Sequence, residues 1–345
     1  MEQEHKRRVR YKGTHPRNYQ EKYKELNPEK YQSDVEKILQ GGKTPAGMHI
    51  PIMVDEILEF LQIKPGQVGL DATLGYGGHT RRMLECLQGQ GHLYATDVDP
   101  IESEKTRARL ESLGFGPEIL TIRRMNFAQL DQVAPDKKFD FVLADLGVSS
   151  MQIDNPERGF TFKYDGPLDL RLDPTAGVTA AQRLRELDED ELVAMLVENS
   201  DEPHAERIAS AVMRVYQKGG SIDTTRQLAS IIENALGFLP AGERKETIKK
   251  SCQRTFQALR IDVNSEFEVL YSFLEKLPQV LNSGGRAAIL TFHSGEDRLV
   301  KKAFRQHFRE GLYSEICDDV IRPSSQECFR NPRAKSTKMR WAVRT

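Results

Sequence analysis

The sequence predicts an α/β fold, a mostly parallel sheet with covering helices, interrupted by an all-helical insertion. Three observations predict it. The runs "QVGLDA", "GHLYATDVD" and "FDFVLADLGVSS" are short, apolar and end near acidic residues, with helical patterns between them, which is the alternation of βαβ units. From about residue 151 to 250 that alternation stops, and helix start signals take its place. Strand character then returns at "GRAAILTF".

In chain order, residues 1–47 are rich in Lys, Arg, Tyr and Gln and poor in large aliphatics, so they are expected to form a basic arm outside any core. Basic side chains interleaved with Tyr11, Tyr19, Tyr23 and Tyr31 suit a nucleic-acid strand, and a plain solvated tail is the other reading. Residues 48–150 open the sheet-forming domain. In "PIMVDEILEFLQI", Ile52, Ile57, Leu58 and Leu61 fall at helical spacing, and Lys64-Pro65-Gly66 ends that helix. Residues 151–250 hold a loop and the helical insertion, where Asp188 with Glu191 and Thr224 with Gln227 have capping-box spacing and Pro203 suits a first helical turn. Residues 251–345 return to the first domain. They begin with a helix from about Arg254, whose apolar face includes Phe256, Leu259, Val263, Phe267, Leu270 and Leu274. A strand, the helix "EDRLVKKAFRQHF", a last strand "KMRWAVRT" and a basic tail follow.

A chain of 345 residues with 38% apolar content can bury a sizeable core. The net charge of −1 excludes nothing until its distribution is read. Residues 1–47 hold 11 Lys/Arg against 7 Asp/Glu, and residues 322–345 hold 7 against Glu327 alone, so both ends are basic. Cys86, Cys252, Cys317 and Cys328 form no C-x-x-C pair and no metal-ligand spacing, which predicts reduced thiols, no metal and a cytoplasmic protein. No apolar stretch approaches the length of a membrane span.

The stretch "LDATLGYGGH" carries the chemistry. A dinucleotide fingerprint needs a glycine where Thr80 stands, and a phosphate-binding loop needs a G-K-[ST] that is missing. What remains is D-x-T-x-G-x-G, an acid at a strand end followed by a turn tight enough for backbone to approach a ligand. That suits S-adenosylmethionine, which brings an ammonium, a carboxylate and a sulfonium instead of phosphates. Asp97, at the end of the next strand, is placed to accept both ribose hydroxyls; Asp99 is its neighbouring candidate, and helix capping is the plainer role for either. Asp145 and Gly147 end the third run, at the sheet edge where a transferable methyl would sit.

The ordered motifs "HIPIMVDEIL", "DATLGYGGHT", "TDVDP", "ADLGVSSMQIDNPERGFTFKYDGPLDLRLDP", "RTFQALRIDVNSE", "GGRAAILTFHSGEDRLVK" and "NPRAKSTKMR" closely resemble the ribosomal RNA small subunit methyltransferase H (MraW-like) family, from about His49 to Arg340. The resemblance implies a Rossmann-like class I S-adenosylmethionine-dependent methyltransferase with an inserted helical domain. It implies methylation of N4 of one cytidine in the decoding region of 16S rRNA, with the assembled small subunit as the favoured substrate. By motif position it implies that Gly77, Gly78 and His79 line the cofactor and Asp97 takes the ribose. Phe127, against adenine, then completes the pocket with Asp145 and Gln152. Tyr76, where the family usually has Arg, and Gly295, where it usually has Leu, depart from the pattern, as a divergent second copy would.

Asp145 or nearby carbonyls are expected to polarise the cytosine amine, and His293 is a second catalytic candidate, with a structural hydrogen bond as its plainer role. For RNA the candidates are Arg158, Phe160 and Arg171 in a substrate loop, then Arg254, Arg260, Arg333, Lys335 and Lys338, with ordinary solvated charge as the alternative for each. A DNA amino-methyltransferase would carry a Pro-Pro-aromatic run after Asp145, which is absent. Methylation of another RNA and a non-catalytic assembly factor stay open, as does a homodimer.

Overall fold

The computed structural model describes residues 51–345; the basic arm, residues 1–47, lies outside them. The elements that build the sheet are α1 (Val54–Leu61), β1 (Val68–Asp71), α2 (Gly78–Leu87), β2 (His92–Asp97), α3 (Pro100–Ser112), β3 (Leu120–Arg124) and β4 (Phe139–Asp145). After the short α4 (Ser150–Asp154) come the helices of the insertion, α5 (Ala180–Glu186), α6 (Glu189–Ser200), α7 (Ala205–Gln217), α8 (Thr225–Ala235) and α9 (Ala241–Val263). The chain then returns through α10 (Glu266–Val280), β5 (Leu281–Thr291), α11 (Ser294–Arg309), β6 (Tyr313–Ile316), α12 (Ser325–Arg330) and β7 (Lys338–Arg344).

The sheet has seven strands in the order β3-β2-β1-β4-β5-β7-β6. β1 to β5 are parallel, and β7 runs antiparallel between β5 and β6. β1 and β4 lie side by side at the point where strand order reverses, so their carboxyl ends frame the crevice in which doubly wound sheets hold ligands. Alternate residues of β4 serve opposite faces. Val142 and Ala144 pack with Leu270, Phe273, Leu274 and Leu277 of α10, while Phe141 and Leu143 pack with Ile57 and Leu61 of α1 and Met83 and Leu87 of α2.

A third cluster belongs to the insertion and joins Leu184, Leu196, Ile208, Val212, Leu228, Ile232, Phe256 and Leu259 around one core. Both expected capping boxes are present, at Asp188 with Glu191 and at Thr224 with Gln227. Several boundaries differ from the sequence reading. The division at residue 250 falls inside α9, which starts at Ala241 and carries Cys252, Phe256, Ala258 and Leu259 into the insertion's core. The single helix expected from Arg254 onward is two helices, broken where Ser265 takes a left-handed φ of 49°. Pro203 precedes α7 rather than lying in its first turn. No helix among the described residues is long and apolar enough to cross a membrane.

Candidate active site

The turn after β1 is braced from every side. Asp71, buried, accepts from the Thr80 hydroxyl at 2.6 Å and from the Thr73 amide at 3.1 Å, so both its oxygens hold the turn in shape. Burial raises its pKa, partly countered by Thr80 and by the charge of His79. Gly75 and Gly77 take φ of 47° and 77°, where glycine is favoured. The Gly75 carbonyl accepts from the Thr106 hydroxyl at 2.7 Å. Tyr76 offers its carbonyl to Arg109 at 2.5 Å while its ring lies 3.4 Å beneath the same guanidinium. An arginine at position 76 would set two like charges together; tyrosine makes a contact instead.

Asp97, ending β2, accepts from the amides of Gly75 and Asp99, each at 2.8 Å. Burial pushes its carboxyl up to about 6 in spite of those two bonds, and the charges of Asp99 and Asp71 add to the rise. Asp99 plays a different part. One oxygen caps α3 through the amides of Ile101 and Glu102, and the other takes Arg158 Nη1 at 2.6 Å and Gln152 Nε2 at 2.9 Å. Phe127 follows β3 and turns its edge to Phe273 at 5.2 Å.

At the end of β4, the Asp145 amide donates to the Thr73 hydroxyl at 2.7 Å. Asp145 Oδ2 lies 3.5 Å from His79 Nδ1, and Asp145 Oδ1 is buried with no hydrogen-bond partner. His79 Nε2 faces the Ile52 carbonyl at 2.9 Å and must donate to it, so a neutral ring presents a bare lone pair to the carboxylate and a single shared proton relieves that repulsion. Burial pushes the Asp145 carboxyl up to about 6, against the pull of His79.

His293 begins the turn after β5. Its Nε2 stands 3.2 Å from Glu296 Oε1, and its ring tilts against Phe267. Glu296 accepts from the Phe292 amide at 2.8 Å; burial raises its pKa, but His293 and the Arg260 guanidinium more than offset that and hold it low. Ligand atoms of Glu266, His293 and Glu296 lie within 4.8 Å of one another, yet Arg260 grips both Glu266 oxygens at 2.7 and 2.9 Å and supplies the cluster's positive charge itself. Gly295 sits against this cluster. A Cβ there would lie 2.6 Å from Phe267 Cζ, so the Phe267 ring fills the place of the family's leucine.

The structure therefore gathers Gly77, Gly78, His79, Asp97, Phe127 and Asp145 along the carboxyl ends of β1, β2, β3 and β4. Gln152 joins them through Asp99, its amide oxygen occupied by the Ser149 amide. Most of the expected RNA contacts are answered within the chain. Arg158 is buried against Asp99 and also donates to the carbonyls of Arg171 and Leu172; Arg171 forks onto Asp169; Arg260 onto Glu266; Arg333 onto Asp154; Lys338 onto Asp297. Phe160 packs on the insertion's core, Arg254 is partly buried, and Lys335 is exposed. Sequence reasoning missed Glu296, Arg109 and the Asp99–Arg158 bridge. Only Glu296 had a local signal, its capping-box spacing after His293.

The family model described as the MraW methylase family matches residues 46–345. The chain belongs to that family. It is 67% identical over 341 residues, 99% of its length and 93% of the relative's, to ribosomal RNA small subunit methyltransferase H 1 of Lachnoclostridium phytofermentans. It is 64% identical to the protein of the same name from Agathobacter rectalis, covering 99% of each, and 62% identical to ribosomal RNA small subunit methyltransferase H 2 of Alkaliphilus metalliredigens, again covering 99% of each. The protein is a methylase, and its cofactor is S-adenosylmethionine. The residues fit that group. A Cβ on Gly75 or Gly147 would meet nothing closer than 3.8 Å, so backbone is open to a ligand on both sides of the crevice, and the unmatched Asp145 Oδ1 supplies a carboxylate to it.

Proposed function

We propose that this methylase modifies the exocyclic N4 of a cytidine in the decoding region of 16S rRNA, in the small ribosomal subunit and in the cytoplasm. Membership of a family whose high-identity relatives are named as small-subunit rRNA methyltransferases supports the substrate. The single observation that carries the chemistry is Asp145 Oδ1, a buried carboxylate oxygen with no partner at the carboxyl end of β4.

When bound, S-adenosylmethionine supplies an electrophilic methyl on a sulfonium. Asp97 would hold the ribose hydroxyls and Phe127 would lie against adenine, with Gly77, Gly78 and His79 shaping the turn. The cytosine amine is a weak nucleophile because its lone pair is delocalised into the ring. Asp145 Oδ1 would accept a hydrogen bond from that amine, which localises the lone pair and fixes the amine's orientation. The proton that N4 must lose on methylation would pass to the Asp145 carboxylate, while His79 steadies the other oxygen. His293, turned towards Glu296 and Phe267, positions the neighbouring strand end. The target base must leave its stack to reach the crevice, at a cost of a few kcal/mol unless the RNA is already open there.

The test is transfer of labelled methyl from S-adenosylmethionine to small subunits lacking the modification, with free rRNA and DNA alongside and nucleoside analysis of the product. N4-methylated cytidine from the subunit is the expected result. Label on another nucleoside or in DNA alone rejects the specificity, and no label despite cofactor binding rejects the substrate.

A further inference from the structure

Most of the cations expected to meet phosphate are consumed by the chain's own carboxylates, whereas another group is not. Between α8, the first half of α9 and the loop at residues 162–163 lies an open cleft of about 550 Å³. Five cations line it, Lys163, Arg226, Arg244, Lys245 and Lys249, against the single carboxylate of Glu233. All six side chains belong to exposed residues. Among the described residues Lys163 and Lys245 meet no carboxylate, and Lys249 approaches Glu246 only at 3.9 Å. Arg226 and Arg244 each spend one N–H on a carbonyl, that of Phe162 at 3.3 Å and of Leu239 at 2.8 Å, which leaves their charge unanswered.

The floor is apolar. Phe162, Ile248 and Cys252 form it, and burial pushes the Cys252 thiol up to about 12, so that side chain is neutral at any physiological pH. Lys245 and Lys249 are four residues apart on α9, about 6 Å along its axis, and so line one wall together. Unanswered cations above an apolar, aromatic floor recognise a chain that alternates anions with flat hydrophobic groups. That describes single-stranded RNA, whose phosphates neutralise the rim while a base stacks below.

We infer that this cleft is a second RNA site, which holds the phosphodiester backbone of a single-stranded segment outside the nucleotide being methylated. The inference rests on the RNA reading above and deepens it. The insertion, tied to the sheet through the Arg158–Asp99 bridge, then grips substrate away from the crevice while the strand ends perform the chemistry.

The experiment measures binding of unmodified small-subunit rRNA across a salt series for the full chain, the triple variant Lys163→Gln/Lys245→Gln/Lys249→Gln, and a control, Lys137→Gln/Lys138→Gln, whose lysines are exposed at the opposite end of the sheet just before β4. The triple variant is expected to bind at least tenfold more weakly at about 0.1 M salt. Its plot of log affinity against log salt should flatten by about 2, since each lost single-strand phosphate contact removes about 0.7. S-adenosylmethionine affinity and melting temperature should stay at wild-type values, and the control should bind as the wild type does. Unchanged affinity and slope in the triple variant, or equal losses in the control, overturn the cleft while leaving methyl transfer to rRNA standing. A wild-type chain that neither binds nor methylates rRNA overturns both.

Discussion

Asp145 Oδ2 stands 3.5 Å from His79 Nδ1 while Asp145 Oδ1 is buried and unmatched, so the two oxygens of one carboxylate are set apart. With its pKa pushed up to about 6, chiefly by burial, the group is ionised at pH 7 yet basic enough to take a proton. As a base it must be ionised, so kcat is expected to rise with pH through about 6 and level off above it. Asp145→Asn keeps the shape and removes the basicity. It should lower kcat about 10²- to 10⁴-fold and abolish that rise, with cofactor affinity kept within a few-fold. A pH–rate profile of wild type and variant checks both statements, and full activity in Asp145→Asn would sink the assignment.

Asp97 carries a linkage of its own. Its carboxyl is also pushed up to about 6, and in the proposed site the ribose hydroxyls would donate to the ionised form. Cofactor binding should therefore expel protons between about pH 5 and 7, and affinity should rise with pH across that window. Calorimetry at pH 6 in buffers of different ionisation enthalpy reads the proton count directly. Asp97→Asn is expected to bind more weakly and to release fewer protons, and an unchanged count would remove Asp97 from the ribose site.

Gly295 and Phe267 are expected to behave as a pair. A Cβ at residue 295 would lie 2.6 Å from Phe267 Cζ, so Gly295→Leu overpacks the cluster and should cost about 1–3 kcal/mol in chemical denaturation. Gly295→Leu/Phe267→Ala opens the space and should recover most of that loss. Costs that simply add in the double variant would mean that the ring does not fill the place of the family's leucine.

The Arg158–Asp99 bridge is buried at both ends, so removing one partner leaves a charge without compensation. Arg158→Met should destabilise by about 3–5 kcal/mol, and Arg158→Met/Asp99→Asn by clearly less, because asparagine still caps α3 without a charge. Denaturant unfolding of the two singles and the double completes the cycle.

The parallel sheet and its crevice were legible because β1, β2 and β4 are apolar runs that stop at acids, a pattern that survives any packing detail. β3 and β6 were not, since "LTIRR" and "YSEI" are short edge segments whose charged residues carry no hydrophobic period. The break at Ser265 was invisible for a related reason: α9 and α10 share one apolar rhythm, and only a left-handed residue between them redirects the chain. At the site, strand-end acids could be read one by one, but their division of labour could not. Asp97 and Asp99 look alike in sequence, and only Arg158, 59 positions downstream of Asp99, takes one of them out of reach. Carboxylates two, six and 179 positions away likewise engage Arg171, Arg260 and Arg333, because a basic residue in sequence does not show which carboxylate will face it.

The strand order has a consequence for how the molecule assembles. Asp145 pairs with Leu290 in the β4–β5 ladder, so the sheet closes only across the whole insertion, and β7, made after every other strand, lies inside the sheet between β5 and β6. Closing so long a segment as floppy chain is slow and entropically costly, whereas an insertion that first condenses around its own core brings the two strands near each other as a compact spacer. A compact helical core within the insertion thus shortens the gap that the β4–β5 pairing has to close.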